Sequence, residues 1–100
     1  MPTLSRTETE IVEQLVQKLL AIHKKNDQLM FSADPFGVQM RQIPHPPQAV
    51  VAEGREIGTL LETKGIQCPR LREFVHDPSP FEIENVMLEL REIERVHGED

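Results

Sequence analysis

The sequence predicts a mainly α fold: a small domain of about four helices, with a β-hairpin or an ordered loop inserted after the first helix. Two observations lead to this prediction. Apolar residues recur at the 3.6-residue spacing of an amphipathic helix towards both ends of the chain. Both segments also begin with a helix-start pattern, in which Ser or Thr is followed three residues later by Glu.

The length of 100 residues, without an internal repeat or a flexible linker, indicates one domain spanning 1–100. Four Phe and no Trp or Tyr leave a core that must be mainly aliphatic. The longest apolar run is far shorter than the roughly 20 residues needed to span a bilayer, and no apolar stretch follows a basic start. We therefore expect neither a membrane segment nor a secretory signal.

The first helix is expected from about residue 7 to 25. Thr7 and Glu10 match a capping box at its start, and the cationic pair Lys24 and Lys25 suits its end. Its apolar residues cover nearly half of the helix circumference, which predicts packing against two neighbours. They are Ile11, Val12, Leu15, Val16, Leu19, Leu20 and Ile22.

The stretch 28–46 is the inserted hairpin or ordered loop. Asp34-Pro35-Phe36-Gly37 fits a type I turn, and apolar residues alternate with polar ones from Val38 onwards. A two-stranded ribbon is marginally stable unless other residues cover it, so an ordered loop is the alternative.

Three further helices are predicted after the insertion. Pro47 begins the second, near 47–63, and Gly65 follows its end. Pro69 opens a short third helix near 69–76. Ser79 and Glu82 match a capping box that starts the last helix, near 80–97. The inward face of the last helix consists of Ile83, Val86, Met87, Leu90 and Ile93.

The leading functional hypothesis is a small, non-catalytic interaction or regulatory module that forms a homodimer. Phe81 and Leu88 lie together on the side of the last helix opposite its core face, and we expect them to form the dimer contact. Phe31, Phe36, Val38 and Met40 in the insertion are expected to bind an unidentified protein partner, since Met and Phe adapt to partner surfaces.

The alternative hypothesis is a helix-turn-helix regulator formed by residues 48–76. Arg70 and Arg72 would then face a DNA groove, and Lys64 would bind a phosphate. The net charge of −6 opposes this, because residues 77–100 contain eight acidic residues against Arg91 and Arg95. Nucleic acid is therefore an unlikely partner on composition.

A third hypothesis is an enzyme or thiol sensor centred on Cys68. A cysteine at a helix N-terminus has a lowered thiol pKa, and Cys68 directly precedes Pro69. A single cysteine excludes an internal disulfide and suits a reducing, cytoplasmic location. We predict no catalytic residues and no cofactor. We also predict no metal site, because the four His lack HxxxH or HExxH spacing.

Overall fold

The computed structural model describes residues 2–31 and 45–98, with the backbone alone for 28–31. The chain in these ranges is mainly helical, as predicted. Its elements are α1 (Arg6–Phe31), α2 (Gln48–Thr63), α3 (Pro69–His76), a short 3-10 turn (Pro80–Glu82) and α4 (Ile83–His97).

The predicted β-hairpin is not supported. The described ranges contain no strand, only an isolated bridge between Leu4 and Gly98. Residues 28–31, which the prediction placed in the first arm of the hairpin, belong to α1 instead. The helix continues past Lys25 because no Gly or Pro occurs between Pro2 and Pro35 to stop it. The predicted turn at Asp34–Gly37 lies outside the described residues.

The start of α1 is two residues earlier than the predicted capping box. The Glu8 N–H donates to Ser5 Oγ (3.1 Å) and the Ser5 N–H donates to Glu8 Oε1 (2.8 Å), so Ser5 and Glu8 form the box. Glu8 Oε1 also accepts a 2.7 Å bond from Lys64. The Lys64 bond and then the Ser5 N–H lower the pKa of the Glu8 carboxyl.

Helix α1 runs antiparallel to both α2 and α4. Along α2, Lys18 pairs with Glu53 (2.6 Å) near one end and Glu8 with Lys64 (2.7 Å) near the other. The corresponding pair on α4 joins Arg91 to Glu13 at 2.9 Å. Surface pairs of this kind contribute little stability, but they mark the relative directions of the helices.

The core lies where these helices meet. Among the described residues it is mainly aliphatic, and its one aromatic ring is that of Phe74 on α3. Burial of this apolar surface is the main favourable contribution to folding. Of the predicted inward residues of α4, Ile83, Val86, Leu90 and Ile93 are buried in this core, and Met87 packs at its margin. The other buried apolar residues are Leu4, Val12, Leu15, Val16, Leu19, Val50, Val51, Ile57, Leu61, Ile66, Cys68 and Leu71.

The link between α2 and α3 is a Schellman turn. The Ile66 N–H donates to the Leu61 carbonyl (2.8 Å) and the Gly65 N–H donates to the Glu62 carbonyl (2.9 Å). Gly65 adopts φ 80°, a left-handed conformation that glycine tolerates best. Ile66 and Leu61 are both buried, which supplies the apolar contact of this motif.

The glycine pair of α2 has two different environments. A Cβ on Gly54 would lie 3.1 Å from Val75 Cγ1 and 3.3 Å from Leu71 Cδ1, so α3 packs directly on this position. A Cβ on Gly58 would meet only Leu71 Cδ2, at 3.8 Å. The close approach of a neighbouring helix is therefore at Gly54.

The N-terminal segment is fastened to the end of α4. Leu4 is fully buried, and its N–H donates to the His97 carbonyl at 2.8 Å. His97 Nδ1 lies 2.8 Å from the Pro2 carbonyl oxygen. These bonds hold the segment before α1 against α4, and the buried Leu4 side chain adds to the core that the helices form.

Candidate functional site

The outer face of α4, which we define by Phe81 in the preceding 3-10 turn and by Glu84, Leu88, Arg91 and Arg95 in the helix, carries the two most exposed large apolar side chains of the described residues. Phe81 is 65% exposed and Leu88 is 62% exposed. They are seven residues apart, close to two helical turns, which is the spacing of residues on one side of a helix. The face thus presents an aromatic and an aliphatic group to solvent.

The position of Phe81 follows from the way α4 begins. Ser79 Oγ accepts a hydrogen bond from the Phe81 N–H (3.3 Å), and the Glu82 N–H donates to the Ser79 carbonyl (3.1 Å). The predicted capping residue is therefore in place, but the first turn is a 3-10 turn. The Glu82 carboxylate accepts a bond from Asn85 (3.2 Å) and does not close a box with Ser79.

Charges of both signs lie along the outer face of α4. Glu84 is exposed in its first half, and Arg91 and Arg95 lie in its second half beside the exposed Glu92. Glu92 pairs with Arg95, whose hydrogen bond lowers the pKa of the Glu92 carboxyl. Glu13 of α1 accepts from Arg91 with both oxygens at 2.9 Å.

The structure does not test the predicted partner surface on the insertion, because Phe36, Val38 and Met40 lie outside the described residues. Phe31 is the last residue of α1, and only its backbone position is described.

The residues predicted to contact DNA belong to the helical hairpin α2–turn–α3. Lys64 is bound to Glu8 of α1, and Arg72 pairs with Glu62 of α2. Arg70 is exposed at the start of α3. Two of the three cations are thus already engaged by carboxylates.

The N-terminus of α3 is occupied by a carboxylate from α4. Glu89 accepts hydrogen bonds from the Arg70 N–H (2.9 Å) and the Leu71 N–H (3.0 Å), two of the amides that a helix leaves unpaired at its start. A carboxylate there also interacts favourably with the helix dipole. Sequence reasoning missed Glu89, because nothing in the sequence indicates which glutamate of α4 reaches α3.

Cys68 directly precedes α3 and is buried, with 1% of its surface exposed. Burial, and then the negative charge of Glu89, raise the pKa of the Cys68 thiol to about 11. The expectation of a reactive thiol relied on a helix N-terminus that lowers this pKa. In the structure the environment of the thiol raises its pKa instead. The group that interacts with the N-terminus of α3 is the Glu89 carboxylate.

No helix among the described residues has the length and apolarity required to cross a bilayer. No group of three or more His, Cys, Asp or Glu side chains in the same ranges is arranged to hold a metal ion.

No protein-family model, curated protein or solved structure matches this sequence.

Proposed function

We propose that this protein is a small, non-catalytic interaction module that self-associates through the outer face of α4. The observation that carries the proposal is the exposure of Phe81 and Leu88, at 65% and 62%, on one side of a helix whose other side forms the core. Two large apolar side chains together on a surface favour a contact that removes them from water. A cytoplasmic, regulatory role is part of the same proposal.

The spacing suits two antiparallel copies of α4 related by a two-fold axis. Such an interface uses the same patch on both chains, so the patch must be complementary to itself. With the axis near Leu88, the two Leu88 side chains meet at the centre. Phe81 of each copy then lies towards the end of the other α4, where the Arg95 guanidinium offers a cation–π partner.

The test is the mass in solution of a double variant, Phe81→Ser with Leu88→Ser. We expect light scattering of the native protein at micromolar concentration to give about twice the chain mass of 11.5 kDa. The double variant should give one chain mass with an unchanged helical circular dichroism spectrum, because neither side chain contributes to the core.

Ile11→Ser is the matched control, since Ile11 is a partly exposed apolar residue (38%) on a different helix. It should leave the mass doubled. A native protein that remains at one chain mass up to high micromolar concentration would refute the proposal, as would a double variant that stays dimeric.

Binding of a protein partner by Phe31, Phe36, Val38 and Met40 remains a separate part of the proposal. It rests on composition alone, since these side chains lie outside the described residues. Phe36→Ala with Met40→Ala should weaken partner binding and leave the fold intact. A variant that unfolds while partner affinity persists would assign these residues to the core.

DNA binding by α2–turn–α3 is the second candidate function, and the tight Schellman turn between these helices favours it. Against it stand the ion pairs of Lys64 and Arg72 and the Glu89 carboxylate at the start of α3. A fluorescence titration with duplex DNA at low salt tests this candidate. Phosphate contacts give measurable affinity at low salt even without the correct sequence, so the absence of binding to any duplex would exclude it.

A further inference from the structure

The contact between the first half of α1 and the last turns of α4 contains two carboxyl groups and one guanidinium. Arg91 Nη1 lies 2.9 Å from Glu13 Oε2 and 3.8 Å from Glu94 Oε2. Glu13 also accepts a 2.7 Å bond from the Gln17 side chain. The single cation is therefore held closely by Glu13 and only loosely by Glu94.

Glu94 is the more buried of the two, with a side chain 13% exposed against 35% for Glu13. Its Oε1 atom is fully buried and has no hydrogen-bond partner among the described residues. An ionised carboxylate in such a position loses hydration without compensation. A proton on Glu94 removes this cost, because the carboxylic O–H can donate to the Glu13 carboxylate.

The ionisation of the two groups agrees with a shared proton. Burial raises the pKa of Glu94 to about 7, and the hydrogen bond to Glu13 and the charge of Glu13 act in the same direction. For Glu13 burial also opposes ionisation, but bonds from Gln17, Glu94 and Arg91 outweigh it and lower its pKa. Two interacting carboxyls of this kind titrate as a pair.

The other charged groups around this contact have their own partners or face solvent. His97, one turn after Glu94, has its Nδ1 at the Pro2 carbonyl, and Arg95 is paired with Glu92. Glu10, one turn before Glu13, is exposed. Between α1 and α2, Lys18 of α1 pairs with Glu53, and Lys64, directly after α2, pairs with Glu8.

We propose that Glu13 and Glu94 form a proton-dependent latch between α1 and α4, closed in weak acid and weakened as the pH rises past neutrality. The latch acts within one chain and does not depend on self-association. Glu94 lies one turn before His97, whose carbonyl accepts the bond from the Leu4 N–H.

The sign of the pH dependence follows from the direction of each pKa shift. The pKa of Glu94 in the folded state is above its ordinary value of 4.5, so its contribution is complete below that pH and is lost as the pH rises through about 7. The lowered pKa of Glu13 gives a contribution that is present above its ordinary pKa of 4.5 and lost as the pH falls through the folded-state pKa. The pair therefore stabilises the fold most in weak acid.

The experiment measures both the proton and its effect on folding. In ¹³C-Glu-labelled native protein, the Glu94 carboxyl carbon should titrate with a midpoint near pH 7. Urea unfolding is then compared between native protein and Glu94→Gln, whose amide mimics the protonated acid. From pH 5.5 to 8, the unfolding constant of the variant relative to native should fall about ten- to a hundredfold, since each unit of pKa shift is worth a factor of ten.

Glu92→Gln, at an exposed site on the same helix, is the matched control and should follow the native pH profile. His97→Gln, which removes the imidazole one turn after Glu94, is the second control. A Glu94 carboxyl midpoint below pH 5, or a Glu94→Gln profile parallel to the native one, would overturn the proposal. The carbon titration is done on native protein, so it decides the question even if a variant fails to fold.

Discussion

Replacement of Phe74 by Ala should destabilise the protein by about 3–5 kcal/mol, as expected when a fully buried aromatic ring is removed and leaves a cavity. Phe74 is 1% exposed and is the largest fully buried side chain described. It lies on α3, the short helix that packs on both α2 and α4. Because domains of this size have about 5–15 kcal/mol of stability in total, we expect the variant to be close to unfolding at 37 °C. Urea denaturation followed by circular dichroism measures the loss.

Phe74→Leu is the matched control for this position. It keeps an apolar side chain of smaller volume, and the loss should be much less, on the order of 1 kcal/mol. If Phe74→Ala lost no more stability than Phe74→Leu, α3 would not be anchored to the core by this ring.

Leu4→Ala should cost about 2–5 kcal/mol, a large effect for a residue so close to the chain start. Leu4 is 0% exposed, and its N–H is bonded to the His97 carbonyl. Truncation of the side chain removes a full leucine from the core and weakens the join between the N-terminal segment and α4. Thermal or urea unfolding measures the change.

Leu4→Met, which conserves volume, should lose less than about 1.5 kcal/mol and serves as the control. Amide hydrogen exchange adds an independent readout, because the Leu4 N–H is protected only if its bond to His97 persists. A Leu4→Ala variant as stable as the native protein would show that the segment before α1 does not contribute to the core.

The helical parts of the fold were predictable because their signals are local. Apolar spacing located α1 and α4, and the inward residues Ile83, Val86, Leu90 and Ile93 were all identified from the sequence. Gly65 marked the end of α2 for a reason that the structure shows directly, its positive φ. These features depend on residues within one or two turns of each other.

One error concerns a choice that only tertiary contacts decide. Two overlapping patterns, Ser5–Glu8 and Thr7–Glu10, both match a capping box. The earlier one forms, and it allows Leu4 to reach the core and Glu8 to meet Lys64. The predicted strand arm was wrong for a different, local reason, since the sequence has no Gly or Pro that would stop α1 before Phe31.

From the sequence, the candidate site could be predicted only as two apolar residues on the side of the last helix that faces away from the core. Phe81 and Leu88 were found from their place opposite the core face, and the structure leaves both in solvent. The long-range partners were not accessible to sequence reasoning. Glu89 at the start of α3 and Glu94 beside Glu13 join residues from different helices, and neither contact follows from spacing along the chain.

Oxidation of a Leu88→Cys variant tests the proposed α4–α4 interface most directly. A disulfide requires Cα atoms within about 7 Å, which two Leu88 positions satisfy only if they meet near a two-fold axis. The native Cys68 gives little background, because it is buried and the pKa of its thiol is about 11. Val96→Cys places a thiol on another side of α4, at a residue 38% exposed, and is the control.

Under mild oxidation at micromolar concentration, we expect Leu88→Cys to convert to a reducible species of twice the chain mass, while Val96→Cys stays at one chain mass. If Leu88→Cys remained at one chain mass, or if both variants cross-linked equally, the two copies would not meet at Leu88 and the proposed interface would be wrong.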